Sequence, residues 1–340
     1  MIHKTHVFNL LACLLMAMCL FSCSKEFSSN APYKDVTVVY GILDADETDH
    51  YIKIYKGFLT DGNAFEAAQE YDSLYYFDKI DVVMEEYNGT HLNATIPLKD
   101  TVVERDDMGD FAAPDQLVYH FSRTLNCDYT YRLVITNRET GRTITAETPI
   151  IGSFFLSSPS DHTSAVGIHG TMKTDIKYSQ PANAYSYDVY QTFYYIERNK
   201  VTQEEVRKSI RRKINPRPAT TTTVQYIPAV LLNVIASNVK PDPTVDRYIS
   251  VDSCLKFEVW AASETLYNYV VNNSISGSVV LDKLDYTNIQ CEDGRVTGIL
   301  ASRRHVEGWH GLTTPSQEEL VHGEITGNLG FHYAWEYAGH

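Results

Sequence analysis

Positive charge is scarce in this 340-residue chain: 29 Lys and Arg stand against 43 Asp and Glu, a formal net charge of −14. A protein that neutralises a phosphate backbone needs the opposite balance, so nucleic acid is excluded as a partner. Proline and glycine are sparse, at 12 and 18 residues, while 44% of the chain is apolar and 12% aromatic. That composition excludes a fibrous or disordered chain. No Gly-x-Ser-x-Gly, P-loop, Rossmann glycine pattern or His-Glu-x-x-His occurs, which removes the commonest hydrolase, nucleotide and zinc-protease signatures. There is no Cys-x-x-Cys, so zinc-ribbon and thioredoxin-like readings fail. His322-Gly323-Glu324 lacks the downstream cysteines of a zinc deaminase. No catalytic residue, metal or cofactor is assigned, and the chain is expected not to be an enzyme.

What is present begins with an address. His3, Lys4 and His6 precede an apolar run from Val7 to Phe21, interrupted by Asn9. The run is shorter than the roughly 20 residues of a spanning helix and has the length of a secretory h-region. It ends at Leu20-Phe21-Ser22-Cys23. That tetrapeptide resembles a bacterial lipobox, where a signal peptidase cuts before a cysteine that has received a diacylglycerol. Residues 1–22 are therefore expected to be a lipoprotein signal peptide, and Cys23 the lipidation site. Each buried CH₂ of an acyl chain contributes about 0.8 kcal/mol, so several chains, palmitate among them, anchor stably to a membrane. Ser24-Lys25-Glu26 resembles the export signals of Bacteroidota lipoproteins bound for the outer face of the outer membrane. A cell-surface location is expected, with the periplasmic face as the alternative, and residues 23–33 read as a polar tether. Cys13 and Cys19 leave with the signal, so the mature chain keeps Cys127, Cys254 and Cys291. An odd set cannot pair fully; a Cys254–Cys291 disulfide stays open beside a reading of all three as small buried apolar residues.

Acid is concentrated in the first half. Residues 23–150 hold 11 Lys and Arg against 23 Asp and Glu, and residues 151–340 hold 17 against 20. A polar stretch, Ser157 to Ser164, lies where the balance changes, so a linker is placed at 151–165 between units 34–150 and 166–340. In the first unit, strands are expected at Val36–Leu43, Tyr51–Leu59, Ile80–Tyr87, Leu92–Leu98, Gln116–Phe121 and Tyr131–Ala146, the last broken by a turn at Asn137–Gly141. Asn88-Gly89 is a strong hairpin signal. Asn63–Gln69 can form a helical turn. Short strands at this spacing suggest an immunoglobulin-like sandwich, and Leu125 ahead of Thr130-Tyr131 resembles the fibronectin type III approach to its tyrosine-bearing strand. In the second unit, strands are expected at Met172–Tyr178, Tyr185–Ile196, Thr220–Ile227, Lys256–Ala261 and Val296–Ser302. Three helices are expected. One starts at a Thr202-Gln203-Glu204-Glu205 capping box and ends in a basic turn; one runs from Glu264 to about Ile275 behind Ser263; a short one spans Pro315–His322. The fold class is mostly β: an immunoglobulin/fibronectin-like sandwich followed by a mixed β+α domain with two to three helices.

Several stretches then match a known pattern. Val39-Tyr40-Gly41-Ile42-Leu43, Tyr51-Ile52-Lys53-Ile54, Phe58-Leu59, Asp72-Ser73, Thr124-Leu125-Asn126, Tyr131-Arg132-Leu133-Val134-Ile135, Thr140-Gly141, Tyr286-Thr287-Asn288-Ile289, Gly298-Ile299 and Ala301-Ser302-Arg303 occur in that order. In this the chain resembles a Bacteroidota lipoprotein family, a domain of unknown function with an immunoglobulin-like front half. The resemblance spans most of the mature chain. Members commonly carry Gly-Ile-Gly before the final apolar run, where this chain has Val296-Thr297-Gly298-Ile299. The resemblance implies a location, often beside TonB-dependent outer-membrane transporters, and no activity. Asp72-Ser73-Leu74 and Asp100-Thr101-Val102 resemble acceptor sites of Bacteroidota O-glycosylation at Ser73 and Thr101; ordinary Asp-Ser and Asp-Thr turns fit equally.

Few residues point to chemistry. His305-Val306-Glu307-Gly308-Trp309-His310 offers three metal ligands if the segment turns, and is more simply a loop. Asp44, Asp46 and Asp49, and Asp106, Asp107 and Asp110, read as solvated acidic turns, since neither set has EF-hand spacing. Carboxylate pairs for glycoside hydrolysis are set by the fold, not by spacing. Arg207, Lys208, Arg211, Arg212 and Lys213 form the one positive patch and the candidate partner-binding patch. Tyrosine is abundant, at 24 residues, and exposed tyrosines make good contacts. Tyr75-Tyr76 and Tyr194-Tyr195 should each place one ring outward. Trp260, Trp309 and Trp335 can stack on sugars, with Trp260, in an apolar strand, read as core. The expectation is a lipid-anchored binding or accessory protein presenting its β domains to a partner protein, such as a TonB-dependent transporter, or to a glycan. The alternatives are a subunit of a fimbria-like assembly and a carboxylate-based hydrolase.

Overall fold

The computed structural model describes residues 36–57, 74–104, 115–250, 253–274 and 286–337. Cys23 and the tether, the Asn63–Gln69 turn, Ser73, and Asp106, Asp107 and Asp110 lie outside the described residues. Among the described residues, no helix is long and apolar enough to cross a membrane.

Alternating β-branched and polar residues set the first eight strands: β1 (Val36–Asp44), β2 (Asp49–Gly57), β3 (Ile80–Asn88), β4 (His91–Pro97), β5 (Lys99–Glu104), β6 (Asp115–Ser122), β7 (Thr130–Asn137) and β8 (Thr143–Pro149). Gly89, at φ 60°, turns the β3–β4 hairpin, as a primed turn after Asn88 demands. The strands pair in the orders β1-β2-β6-β5 and β8-β7-β3-β4, the two-sheet pairing of an immunoglobulin sandwich. Ile52, Ile54, Met84, Phe121, Tyr131 and Leu133 fill the space between the sheets. The Tyr131 hydroxyl accepts the Asn126 N–H at 3.0 Å and donates to Glu86 at 2.7 Å. This is a tyrosine corner. Glu86, 1% exposed, also accepts from Arg123 and from Asn93.

The remainder comprises β9 (Leu156–Ser158), β10 (Ala165–Val166), β11 (Thr174–Tyr178), β12 (Ser186–Asn199), β13 (Glu205–Lys213), β14 (Thr223–Tyr226), α1 (Val230–Asn238), β15 (Val245–Tyr248), β16 (Leu255–Ala262), α2 (Glu264–Ser274), β17 (Gln290–Cys291), β18 (Val296–Leu312) and α3 (Thr314–His322). A second core, including Val189, Phe193, Leu231, Ile235, Phe257 and Leu320, lies between one face of the β12–β16 region and the small sheet β14-β11-β9 with α1 and α3.

β18 joins the two cores. Its first part runs parallel to β1, from Val296 beside Thr37 to Arg303 beside Asp44. Its second part runs antiparallel to β16, from Arg303 beside Ala262 to His310 beside Leu255. One sheet therefore runs in the order β13-β12-β16-β18-β1-β2-β6-β5. The cores divide between Ile150 and Ile151. Residues 286–302, placed by the sequence in the second unit, pack on the first: Ile289 and Leu300 join its core, and β17 pairs with β8. Gly298 permits the β1–β18 approach. Its φ is +104°, and a Cβ there would lie 1.9 Å from the Val39 carbonyl oxygen.

Two local expectations are corrected. The segment ending in the basic run is not a helix but strand β13. Val206, Ile210 and Ile214 recur every four residues, a spacing that fits one helix face and equally one face of a strand. Long β12 supplies nine cross-strand partners for Glu205–Lys213, and pairing overrides a weak helical preference. Thr202 and Gln203 sit instead in the hairpin turn, with Gln203 at φ 58°, and Asn199 Oδ1 accepts the Val201 and Thr202 N–H groups. The helix that sequence reading missed is α1. Its Leu231, Leu232 and Ile235 are buried, and its β-branched residues hide a helical stripe. Ser263 stands at the start of α2 as expected, its hydroxyl accepting the Leu266 N–H at 3.5 Å.

Candidate functional site

The long sheet has one face on the cores and one turned outward. Pleating places Tyr190, Tyr194, Trp260, Trp309, His305 and Arg303 outward, while their neighbours Val189, Phe193, Val259 and Phe257 are fully buried. Trp260 is thus a half-buried surface residue rather than core: Val259 and Ala261 on either side take the inward positions. Tyr194 and Tyr195 split between faces as expected. Tyr75 and Tyr76 do not; both are 3% exposed, because they lie off any strand, ahead of a 3-10 turn at Phe77–Lys79.

The outward rings carry cations. Arg207 lies 4.9 Å from the Tyr194 ring centre, Arg211 lies 4.0 Å from that of Tyr190, Lys256 lies 5.3 Å from that of Trp309, and Arg303 lies 4.9 Å from that of Trp260. Such contacts are worth about 0.5–1 kcal/mol each at exposed sites. Carboxylates interleave. Lys256 bridges Glu258 at 3.3 Å and Glu307 at 3.2 Å, and the Trp309 indole N–H donates to Glu307 at 2.9 Å. Burial opposes the charge on Lys256, but the two carboxylates outweigh it and raise its pKa. Burial likewise disfavours the Glu307 anion, but Trp309 and Lys256 hold its pKa below the usual carboxylate range.

The five residues of the candidate patch, Arg207, Lys208, Arg211, Arg212 and Lys213, are brought onto one strand and then divided. Arg207, Arg211 and Lys213 share the outward face; Lys208 and Arg212 share the inward face with buried Ile210. Each has a partner: Lys208 has Glu197 at 3.9 Å, Arg211 has Glu258 at 3.3 Å, and Lys213 has Asp188 at 2.8 Å. Arg212 donates to buried Gln191 at 2.7 Å, and its burial lowers its pKa. β13 lies at the end of the sheet order, where charged side chains discourage edge-to-edge pairing. The basic run is therefore a guarded edge in which Lys208, Arg211 and Lys213 are matched by carboxylates and Arg207 by a ring, not an isolated positive patch.

α2 covers part of the outward face. Tyr269 donates to the Tyr40 hydroxyl at 3.1 Å, and the Tyr267 and Tyr185 rings are 4.9 Å apart. Between α2 and strands β12, β13 and β16 lies an open cleft of about 320 Å³, lined by Asp188, Tyr190, Arg211, Trp260, Tyr267 and Arg303 among others. Sequence reading singled out only Arg211 and Trp260. The outward positions of β12, Asp188-x-Tyr190-x-Thr192-x-Tyr194, carry a period-two polar and aromatic pattern that signals such a face.

The histidine segment does not turn. It lies within β18, so His305 and Glu307 face outward while His310 is fully buried. Asp44, Asp46 and His305 bring ligand atoms within 4.8 Å of one another. The carboxylates there are taken by Arg303, 2.8 Å from Asp44, and Arg304, 2.8 Å from Asp46, which makes the cluster an ion-pair network. Asp49 is elsewhere, beside His120 and Ser122. Cys254, Cys127 and Cys291 are free thiols; Cys254 is buried in the second core and Cys291 packs on the first, so the two are not juxtaposed. Thr101 is half-buried on β5. Trp335 is exposed and stacks on Tyr333 at 4.2 Å.

No family model matches the chain, and no curated protein matches it. Among solved structures it is similar to the C-terminal globular domain of an oligosaccharyltransferase from Pyrococcus abyssi, at 10% identity and a TM-score of 0.19. The overlap covers 80% of this chain and 45% of that one. A match that loose bears on neither fold nor activity.

Proposed function

We propose that the chain is a lipid-anchored protein of the Bacteroidota outer envelope, held by Cys23 and exposed at the cell surface, that binds a partner rather than catalysing a reaction. The observation that carries this reading is the outward face of the long sheet. There, among the described residues, aromatic rings and paired charges surround an open cleft that α2 covers only in part. Tyrosine, tryptophan and arginine are the residues that dominate binding energy in interfaces. Glu307, tied to Lys256 and the Trp309 indole and held low, is not the raised-pKa general acid that hydrolysis needs. The partner class is an outer-membrane protein, such as a TonB-dependent transporter, or a glycan. A fimbria-like role draws no support from the C-terminus, since Leu329 and Phe331 are buried in the chain's own core and are not available to be donated as a strand.

The test has two arms. Metabolic labelling with a palmitate analogue should mark the protein, and Cys23→Ala should abolish the label; a label that persists refutes the anchor. Protein tethered through Cys23 should capture a partner from solubilised outer membrane or retain a glycan. Arg207→Glu with Lys256→Glu, which reverses two of the face's ring-capping cations, should weaken that capture. Capture unaffected by the pair moves the binding surface elsewhere.

A further inference from the structure

We propose that the cleft beside Trp260 binds a short uncharged saccharide. This deepens the reading of the outward face as a binding surface and rests on it. Three features of the cleft point to that chemistry.

The first is a fixed aromatic platform. The Trp260 indole is packed against the His305 ring, 4.4 Å away and 15° from parallel, with Arg303 4.9 Å from its centre. The register places His305 beside Trp260 on β18 and Asp188 beside it on β12, so the platform is braced from the β18 side and borders the cleft. Tyr267, Leu266 and Val270 of α2 form the facing wall. The C–H face of a pyranose is apolar and complements the negative face of an aromatic ring. A platform already held in place loses little entropy on binding.

The second is a pair of planar polar groups at the platform's edge. Asp188 is held by Lys213 at 2.8 Å. Arg211 lies over the Tyr190 ring, 4.0 Å from its centre, and contacts Glu258 at 3.3 Å. A carboxylate offers two acceptor oxygens and a guanidinium five donors in one plane, which suits vicinal hydroxyls. An entirely apolar ligand would strip water from both groups and return nothing.

The third is charge balance. Asp188, Arg211 and Arg303 are each matched, by Lys213, Glu258 and Asp44 respectively. Glu258 and Asp44 are 7% and 6% exposed. An anionic ligand that drew Arg303 away would leave the buried Asp44 carboxylate without its cation, and one that drew Arg211 away would leave Glu258 with Lys256 alone, both unfavourable. A neutral polyhydroxylated ligand uses the spare hydrogen-bonding positions and disturbs no pair. The volume, about 320 Å³, is at the small end of ligand sites, roughly 300–1,000 Å³.

The experiment is calorimetry and tryptophan fluorescence on the mature chain, titrated with neutral oligosaccharides (gluco-, galacto-, manno- and N-acetylglucosamine series) and with uronate and sulfated sugars. Binding to at least one neutral series is expected. Its affinity should be unchanged between about 50 and about 500 mM NaCl, because no charge is gained. Asp188→Asn and Trp260→Ala should each weaken it by about tenfold, while Trp260→Phe retains most of it and guards against a folding defect. Failure of every neutral series, or preference for anionic sugars with salt-dependent affinity, overturns the proposal. If neutral sugars fail while an outer-membrane protein is still captured through the Arg207 and Lys256 face, the saccharide assignment falls and the binding-surface reading stands. If neither occurs, both fall.

Discussion

Replacing Arg123 with alanine should be far more costly than its surface position suggests. The Arg123 side chain is 41% exposed, but its partner Glu86 is 1% exposed. The guanidinium donates to Glu86 through Nε at 2.9 Å and again through Nη2; Tyr131 and Asn93 supply the rest of the carboxylate's hydrogen bonds, at 2.7 and 3.2 Å. Burial alone would push the Glu86 pKa up, yet these partners outweigh it and hold it below the ordinary value. Removing the cation leaves a buried anion with two neutral donors. Breaking a buried pair in this way costs about 3–5 kcal/mol, against about 0–1 for an exposed pair. The half-exposed arginine places the expected loss near the lower limit, about 3 kcal/mol. The loss should depend on pH. With Arg123 gone, the folded-state pKa of Glu86 rises, so the penalty is full above that raised value and fades as pH falls from it toward the low folded-state pKa that Glu86 has beside Arg123. Glu86→Gln in the Arg123→Ala background should recover about 1–2 kcal/mol, since a neutral amide still accepts from Tyr131 and Asn93. Urea unfolding at pH 7 and pH 4.5 measures all of this. A loss under about 1 kcal/mol at pH 7, or one that does not change with pH, refutes the reasoning.

Gly298→Ala should destabilise by more than about 3 kcal/mol, because the new Cβ would meet the Val39 carbonyl at 1.9 Å in a left-handed backbone; a near-wild-type urea midpoint would contradict the β1–β18 crossing. Cys254, fully buried with its pKa pushed up to about 12 by burial, should resist thiol reagents at pH 8 in the native protein and react only in denaturant. Cys127 and Cys291, half-buried, should react first, and equal rates for all three would sink this assignment. Burial would raise the Asp246 pKa, but bonds from His332 and Lys200 lower it on balance. Its stabilising contribution is therefore complete above the unfolded carboxylate pKa and is lost as pH falls through the lower folded value. Asp246→Asn should flatten that acid-side loss, and an acid unfolding midpoint independent of the substitution would show that the pairing contributes nothing.

Where chain-local chemistry decides, the sequence was legible. The Asn88-Gly89 hairpin, the alternation that makes β2, β3 and β7, Ser263 before α2, and the approach to Tyr131 each rest on a few adjacent residues. The stretch 151–165, read as a linker from its polar residues, carries β9 and the start of β10, and its Ile151 and Leu156 are buried in the second core; polar composition there marks turns rather than a free connection. The sandwich's partners were less legible: nothing near Ile289 or Leu300 says that they belong to a core built from residues 39–150, because that contact spans a long stretch of chain. The four-residue apolar spacing of the basic run serves two geometries, and only β12 beside it selects the strand. Trp260 combines a core-like side chain with an outward position. The charges of Lys256 and Glu258 mark the alternate positions that face out, and period two extends that face to Trp260; its own apolar character hides this, and the strands on either side make it plain.

By itself, then, the amino-acid order determined that this is a β-rich chain with an immunoglobulin-like front half, short of positive charge and of the common catalytic motifs, since these are properties of composition, period and tight turns. The tertiary structure decided what surface that chain presents. It took the few cations the sequence contains, set most of those on β13 against acids or rings, and guarded a sheet edge with them. It also turned Trp260, Tyr190 and Asp188 outward to border one cleft. Pairing and pleating between distant strands fix those positions, and no local window of sequence contains the partner strand.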